Sequence, residues 1–598
     1  MTRHQGRYRN PKSPRHFRVP ILQTALLATA LGPFVMARAA TERINLDSAG
    51  AVSNNQNYSP SINANGRYVA FSSPASNLVE DDTNGMFDIF IHDRKTNTTQ
   101  RVSVNALGEA GNKNSLYPSI SANGCDIAFE SKASNLANGD ANGRSDIFVY
   151  HCKSQQIERI SNGISESQAN DASTSPSLSP DGRYVAFTSK ATNLIADDRN
   201  GKTDVFIYDR ETGITEQASV TATGAGGDNA SQHPSISEDG RFIAFESRAH
   251  NLTDNDANGK IDIFVYDREL KVVQRISTDS TGIEGNGDSE HPSISADGRY
   301  VAFSSDADNL VLTDTNEVAD IFLYDRETHT LQRVSVNFSG EEGNGFSASP
   351  AISADGRHVA FQSNASNLIP TDTNGIFDIF VYDHDSHETR RVSVNSNGIE
   401  SNNSSETPSI SADGHYVAFK SYASNLVPRD SNKKSDIFVQ GPNKPPEITS
   451  PSEAVIAENT TVVQTLEAND PDGDRVLFTV TGGADQSLFT VNAVAQLSFL
   501  TAPITARPSD SDADNVYEVE ITADDEQGGT ALQIIHIGVV TENDLSSRSG
   551  EALIQSLKEP PNNSSGGGSL GFMSLLIGLL TPRLKRRLVN YQQAVAFR

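Results

Sequence analysis

The sequence has no tryptophan, only two cysteines and only four methionines among 598 residues. Two cysteines cannot staple a disulfide-rich scaffold or build a thiolate metal centre, so the fold must come from apolar packing. The lack of tryptophan weakens any reading that stacks sugars on indole rings. Base is scarce relative to acid, with 48 Lys and Arg against 76 Asp and Glu. Seven of those bases lie in the first 39 residues, which hold no acid, and five more lie in residues 583–598, so the rest of the chain carries about −40. Such a surface repels nucleic acid and anionic lipid and attracts metal cations. Also missing are an H-E-x-x-H helix and a glycine-rich phosphate loop followed by lysine.

The chain does contain a repeat. A proline followed by Ser or Ala and Ile or Leu stands at Pro60, Pro118, Pro176, Pro234, Pro292, Pro350 and Pro408, always 58 residues apart. In the third copy the pattern predicts four short strands over 177–179, 183–189, 204–208 and 216–220, with turns at Asp181-Gly182 and Thr212-Gly213. The middle strands are nearly continuously apolar, as in Tyr184-Val185-Ala186-Phe187, so both their faces must be covered. Radially packed four-stranded blades give that cover. The seventh copy stops at Asp436-Ile437-Phe438-Val439 without a fourth strand. Residues 41–46 align at the same offset with 99–104, so the N-terminus is expected to supply that strand and seal the ring. An open solenoid would need capping repeats, and none is visible. The expected fold class is therefore all-β, a closed seven-bladed β-propeller over residues 40–440 followed by a second β-sandwich.

The motifs S-P-D-G-R-Y-V-A-F at 179–187 and D-I-F-V-Y-D at 262–267 resemble the TolB-type, WD40-like propeller repeats of bacterial periplasmic proteins. That resemblance implies the propeller fold. It leaves function open, because such repeats occur in binding proteins and, fused to catalytic domains, in peptidases.

Cys125 and Cys152 both fall in blade two, at positions that are Arg67 and Arg94 in blade one. Antiparallel pairing brings them close, and a disulfide is expected in an exported protein. In five blades the loop between strands two and three reads D-x-N-G-x-x-D, a hard-cation pattern of the kind calcium takes. Blade four is fullest, with Asp254, Asp256, Asn258 and Asp262. The plainer reading is that these Asn and Asp residues cap a turn. His233 and His291 share the place before the repeat proline, which suggests a structural role.

After a linker at 441–446 the repeat ends, and residues 447–544 alternate as a sandwich, with strands over 462–466, 476–481, 496–499, 517–523 and 532–540. The markers Ala457-Glu458-Asn459, Asp470-Pro471-Asp472-Gly473-Asp474, Asp512-Ala513-Asp514, Ala523-Asp524 and Glu542-Asn543-Asp544 resemble a bacterial cadherin-like repeat. The resemblance implies Ca²⁺ held by Glu458, Asp470, Asp472, Asp512, Asp514, Asp524, Asn543 and Asp544. Thr541 and Leu545 depart from that family's linker, and only one repeat is present.

The basic stretch from Arg3 to Arg18, the apolar run 19–36 and Ala37-Arg38-Ala39 read as a signal peptide over residues 1–39. Residues 545–565 read as a disordered spacer. Gly566-Gly567-Gly568, an apolar stretch at 570–580 and the bases Arg583, Lys585, Arg586 and Arg587 resemble a GlyGly-CTERM sorting tag over 566–587, with a tail at 588–598. This implies transient inner-membrane anchoring, a sorting protease and delivery to a Gram-negative cell surface. The resulting expectation is a non-enzymatic, calcium-binding adhesion protein whose partner is a surface protein, a glycan or another copy of the chain. A secreted propeller hydrolase or polysaccharide lyase and a structural envelope scaffold are the alternatives.

Overall fold

A computed structural model describes residues 39–442, 445–470, 475–525 and 529–547. Apart from Ala39, the expected signal peptide lies outside them, as do Asp472, most of the expected spacer and the whole expected sorting segment. Among the described residues no helix is long and apolar enough to cross a membrane.

The 58-residue repeat becomes seven four-stranded antiparallel sheets, the blades of a β-propeller. Blade three runs Ser173–Leu178, Tyr184–Ser189, Asp204–Asp209 and Ile214–Gln217. Its first strand thus begins before the repeat proline, and its fourth ends earlier than the pattern suggests. A bulge explains the first difference. In every blade the register slips by one residue just before the proline. The residue there (Ser59, Tyr117, Ser175, His233, His291, Ser349 or Thr407) takes a φ of 50–56°. The slip lets a residue without an N–H sit inside a sheet.

The sheets pack face to face through their middle strands. Ala70, Ile89 and Val102 of blade one meet Ile127, Phe129 and Phe148 of blade two. Ala418, Ile437 and Val439 of blade seven meet Val69, Phe71 and Phe90 of blade one in the same way. Every blade carries a pair of inward phenylalanines such as Phe245 and Phe264, both fully buried, and burying each contributes about 2 kcal/mol.

The strand Ala39–Arg43 pairs with Asp436–Pro442, so Ala39 faces Pro442 and Ala40 faces Gly441. The N-terminus therefore completes blade seven as its fourth strand. Gly441 and Pro442, expected in the linker, and Ala39, expected as the last residue of the signal peptide, all belong to this ladder.

Polar contacts repeat from blade to blade. At each blade interface a fourth-strand side chain reaches the next blade: Glu42 to Arg94, Gln100 to Tyr150, Glu158 to Arg210, Glu216 to Arg268, Gln274 to Tyr324, Gln332 to Tyr382 and Arg390 to Gln440. Turn backbones are also linked, Ala64 N–H to Ala122 O, Ala122 to Pro180, Glu238 to Ala296, Ala296 to Ala354, Ala354 to Ala412 and Ala412 back to Ala64. The missing bond would start at Pro180, which has no N–H to give.

The second compact unit holds a four-stranded sheet of Glu453–Ala457, Thr530–Val540, Val516–Asp524 and Leu477–Gly482, with a three-stranded sheet of Val462–Thr465, Gln496–Phe499 and Phe489–Val491. The strand Glu453–Ala457, which alternation did not reveal, runs parallel to the last strand. The two sheets bury Leu497, Phe499, Tyr517, Val519, Ile521, Ile535 and Ile537 between them. The helix Glu542–Ser547 extends past the expected domain end at 544.

Candidate functional site

In the propeller loops the carboxylates converge as the spacing suggests, but on a side chain of the protein itself. In blade four Asp262 accepts from Ser277 at 2.6 Å and from Asn258 at 3.0 Å, while Asn258 accepts from the Lys260 N–H in an Asx turn. Arg275 Nη1 lies 3.6 Å from Asp256, 3.7 Å from Asp262 and 2.8 Å from Glu284. A guanidinium thus stands where the sequence pattern suggested a metal ion, and Asp254 is exposed outside the cluster. Arg43, Arg101, Arg159, Arg333 and Arg391 do the same in other blades. Blade three has Gln217 instead. Even with these partners, burial pushes Asp88 and Asp262 up to about 6, and burial with nearby Asp320 does the same to Asp314. The signal for this arrangement was in the sequence, since the Arg of R-V-S-V keeps the same 58-residue step as D-x-N-G.

Cys125 and Cys152 are joined in a disulfide with Cα atoms 4.9 Å apart. In other blades the position of Cys125 carries an arginine clamped on an aspartate, as Arg183 on Asp209 at 2.7 and 3.0 Å. The Arg183 guanidinium holds that carboxyl down at about 2. Blade two keeps a smaller charged group beside the disulfide. Asp126 takes His151 at 2.8 Å and Arg210 of blade three at 3.0 Å.

The acids implied by the cadherin-like resemblance do not form one group. Glu458, next to the end of strand Glu453–Ala457, accepts from the Thr505 N–H at 3.1 Å and hydroxyl at 2.7 Å. Asn515 donates to the Thr505 carbonyl, and Val539 N–H donates to Asn515. Glu458 and the Asp510 to Asp514 loop therefore share one end of the sandwich. Asn543 and Asp544 sit in the helix that follows the last strand, with Asp544 bonded by the Thr541 hydroxyl at 2.7 Å. Asp524 lies at the far end of strand Val516–Asp524, and Asp470 follows the two-residue strand Ala468–Asn469.

One acidic cluster contains a residue that the sequence pattern does not single out. Carboxylate oxygens of Asp510, Asp512 and Asp514 lie within 4.8 Å of one another. Asp510 is only 8% exposed. Its Oδ2 accepts the N–H groups of Asp514 and Asn515, whereas its buried Oδ1 has no hydrogen-bond donor. Ala513 and Asn515 adopt φ of 60° and 67°, folding the loop around the three acids. Alternate-residue carboxylates with one buried, unsatisfied oxygen form a donor set that suits a hard cation.

No protein-family model matches the chain, and no curated protein does. Among solved structures, an oligogalacturonate lyase in complex with manganese aligns with 68% of this chain and 98% of its own, at 12% identity and a TM-score of 0.41. TolB from Acinetobacter baumannii aligns over 66% and 81%, at 16% identity and a TM-score of 0.31. A prolyl endopeptidase structure aligns over 79% and 55%, at 11% identity and a TM-score of 0.41. Likeness at this level concerns the fold alone.

Proposed function

We propose that this chain is an exported, surface-directed binding and adhesion protein, with a closed TolB-type propeller as ligand platform and a cadherin-like sandwich that binds calcium. The observation that carries the calcium reading is Asp510. A carboxylate oxygen buried without a donor costs free energy unless a cation meets it. Asp512 and Asp514 provide further oxygens from the same turn, and a bound calcium would supply the positive charge that this turn lacks. The sorting tag, inner-membrane transit and surface delivery belong to the same reading and rest on the sequence resemblance. The ligand class is a surface protein, a glycan or another copy of the chain.

Binding is favoured over catalysis because the propeller's inner acids already have structural partners. Glu130 accepts the Ser175 N–H and Glu246 the His291 N–H, and Lys420 is paired with Glu406 at 2.6 Å. The secreted hydrolase or lyase reading draws on one observation, the exposed imidazoles of His233 and His291. Product release from a polysaccharide incubated with the chain would put that reading in place of adhesion.

Unfolding of the mature chain followed with millimolar calcium and with chelator tests the calcium proposal. Calcium at 100 times its Kd should stabilise the second unit by about 2.7 kcal/mol, leave the propeller transition in place, and lose its effect in Asp510→Asn. Identical curves with calcium and with chelator would remove the proposal.

A further inference from the structure

The innermost strands of the blades carry a layer of side chains that breaks the repeat at one place. The bulge position holds Ser, Tyr, Ser, His, His, Ser and Thr from blade one to blade seven. Behind it, the second strand offers Ser72, Glu130, Thr188, Glu246, Ser304, Gln362 and Lys420. The long acceptors of blades two, four and six each take the bulge N–H of the next blade: Glu130 from Ser175 at 3.2 Å, Glu246 from His291 at 2.9 Å and Gln362 from Thr407 at 2.9 Å. That duty is structural and needs no charge, since Gln362 performs it as well as the two glutamates.

Glu246 has a second duty that the other two acceptors lack. Its Oε1 lies 2.8 Å from His233 Nδ1. A carboxylate only accepts, so Nδ1 carries the proton, and in the neutral ring the lone pair is on Nε2. His291, in the adjacent blade, stacks on His233 with ring centroids 5.3 Å apart and planes 26° from parallel. No protein group bonds the His291 ring among the described residues, and both imidazoles are exposed, the His233 side chain by 43%. One buried carboxylate therefore fixes the ring of one histidine and the backbone of the other.

We infer that His233 and His291 form a two-imidazole site for a divalent transition metal of the zinc and nickel class, with Glu246 as its positioning residue. Imidazole nitrogen suits those ions and not calcium. A histidine ligand usually donates its other ring N–H to a carboxylate, which orients the ring and raises its basicity; His233 and Glu246 have this arrangement. The remaining coordination positions would face solvent, open to water or a ligand donor.

The test is calorimetric titration of Ni²⁺ and Zn²⁺ into the tag-free full chain. Serine occupies the bulge in blades one, three and six, so His233→Ser and His291→Ser import a residue already accepted at that backbone angle. Each should weaken a single metal site at least about tenfold. Glu246→Gln should weaken it about tenfold while leaving thermal stability in chelator unchanged, because glutamine still accepts the His291 N–H. Asp510→Asn should leave it intact. Absence of metal binding to the native chain, or full binding in both serine variants, would overturn the site. Full affinity in Glu246→Gln would remove the positioning role.

Discussion

At the residue scale, the propeller depends on contacts that only one residue type allows. Gly240 has φ +67°, and a Cβ added there would lie 2.2 Å from Tyr184 of the preceding blade. Gly259 has almost the same φ, +66°, with nothing within 4 Å. The pair separates backbone strain from steric overlap. Gly259→Ala should cost about 1 kcal/mol for the left-handed backbone alone, whereas Gly240→Ala should cost about 3 kcal/mol, because Tyr184 must leave its seat or the blades must part. Equal losses in denaturant unfolding would show that the aromatic seat contributes nothing. This is also the scale at which the sequence was hardest to read. The recurrence of aspartates was visible, and so was an arginine at the same step, but their pairing was not, because Arg275 is supplied by a strand 13 residues beyond Asp262 and only the folded sheet brings it back. Asp510 was overlooked for a similar reason. Its exposed neighbours Asp512 and Asp514 fit the family pattern, while burial, which makes Asp510 the informative member, is a property of the packed loop.

At the element scale, the period specified more than the hydrophobic pattern did. Seven copies spaced 58 residues apart predict seven sheets, and the offset of residues 41–46 predicts which strand completes the last of them. Strand ends were less legible. The inner strand starts before its proline because a bulge with positive φ takes up the break, and serine, threonine and tyrosine at that position give no glycine-like signal. In the sandwich, Glu453–Ala457 was missed because a strand lying parallel beside the last one needs no turn to announce it. Deleting residues 39–46 should leave blade seven with three strands and Asp436–Pro442 as a bare edge. The expected result is a propeller with a lower unfolding midpoint that self-associates on gel filtration, and a monomer with native stability would show that the pairing is dispensable.

At the scale of the whole molecule, charge dominates the response to pH. The raised carboxyls of Asp88, Asp262 and Asp314, at about 6 in the folded chain against about 4 when unfolded, give the folded state extra protons between those values. Its stability therefore falls as pH rises through that window. His92, held down at about 4 by burial, works in the opposite direction below its ordinary value, as do His291 and His358, which burial also lowers, but the raised carboxyls outnumber these histidines. Asp209, held at about 2, contributes fully at both pH 5 and pH 7 and does not affect the comparison. The propeller should thus have a higher denaturation midpoint at about pH 5 than at about pH 7. A midpoint higher at pH 7 would mean that the guanidinium partners neutralise the loop aspartates more completely than their burial suggests.

The pairing of Ala39–Arg43 with Asp436–Pro442 also sets an order in time. A chain emerges from synthesis or from a membrane pore with its N-terminal end first. The strand that arrives earliest must then wait, unpaired, while six blades and three strands of the seventh form behind it. Contacts so distant in sequence form slowly. The first segment made is the last to be used, and until it docks Asp436–Pro442 is a free edge that a chaperone would need to guard.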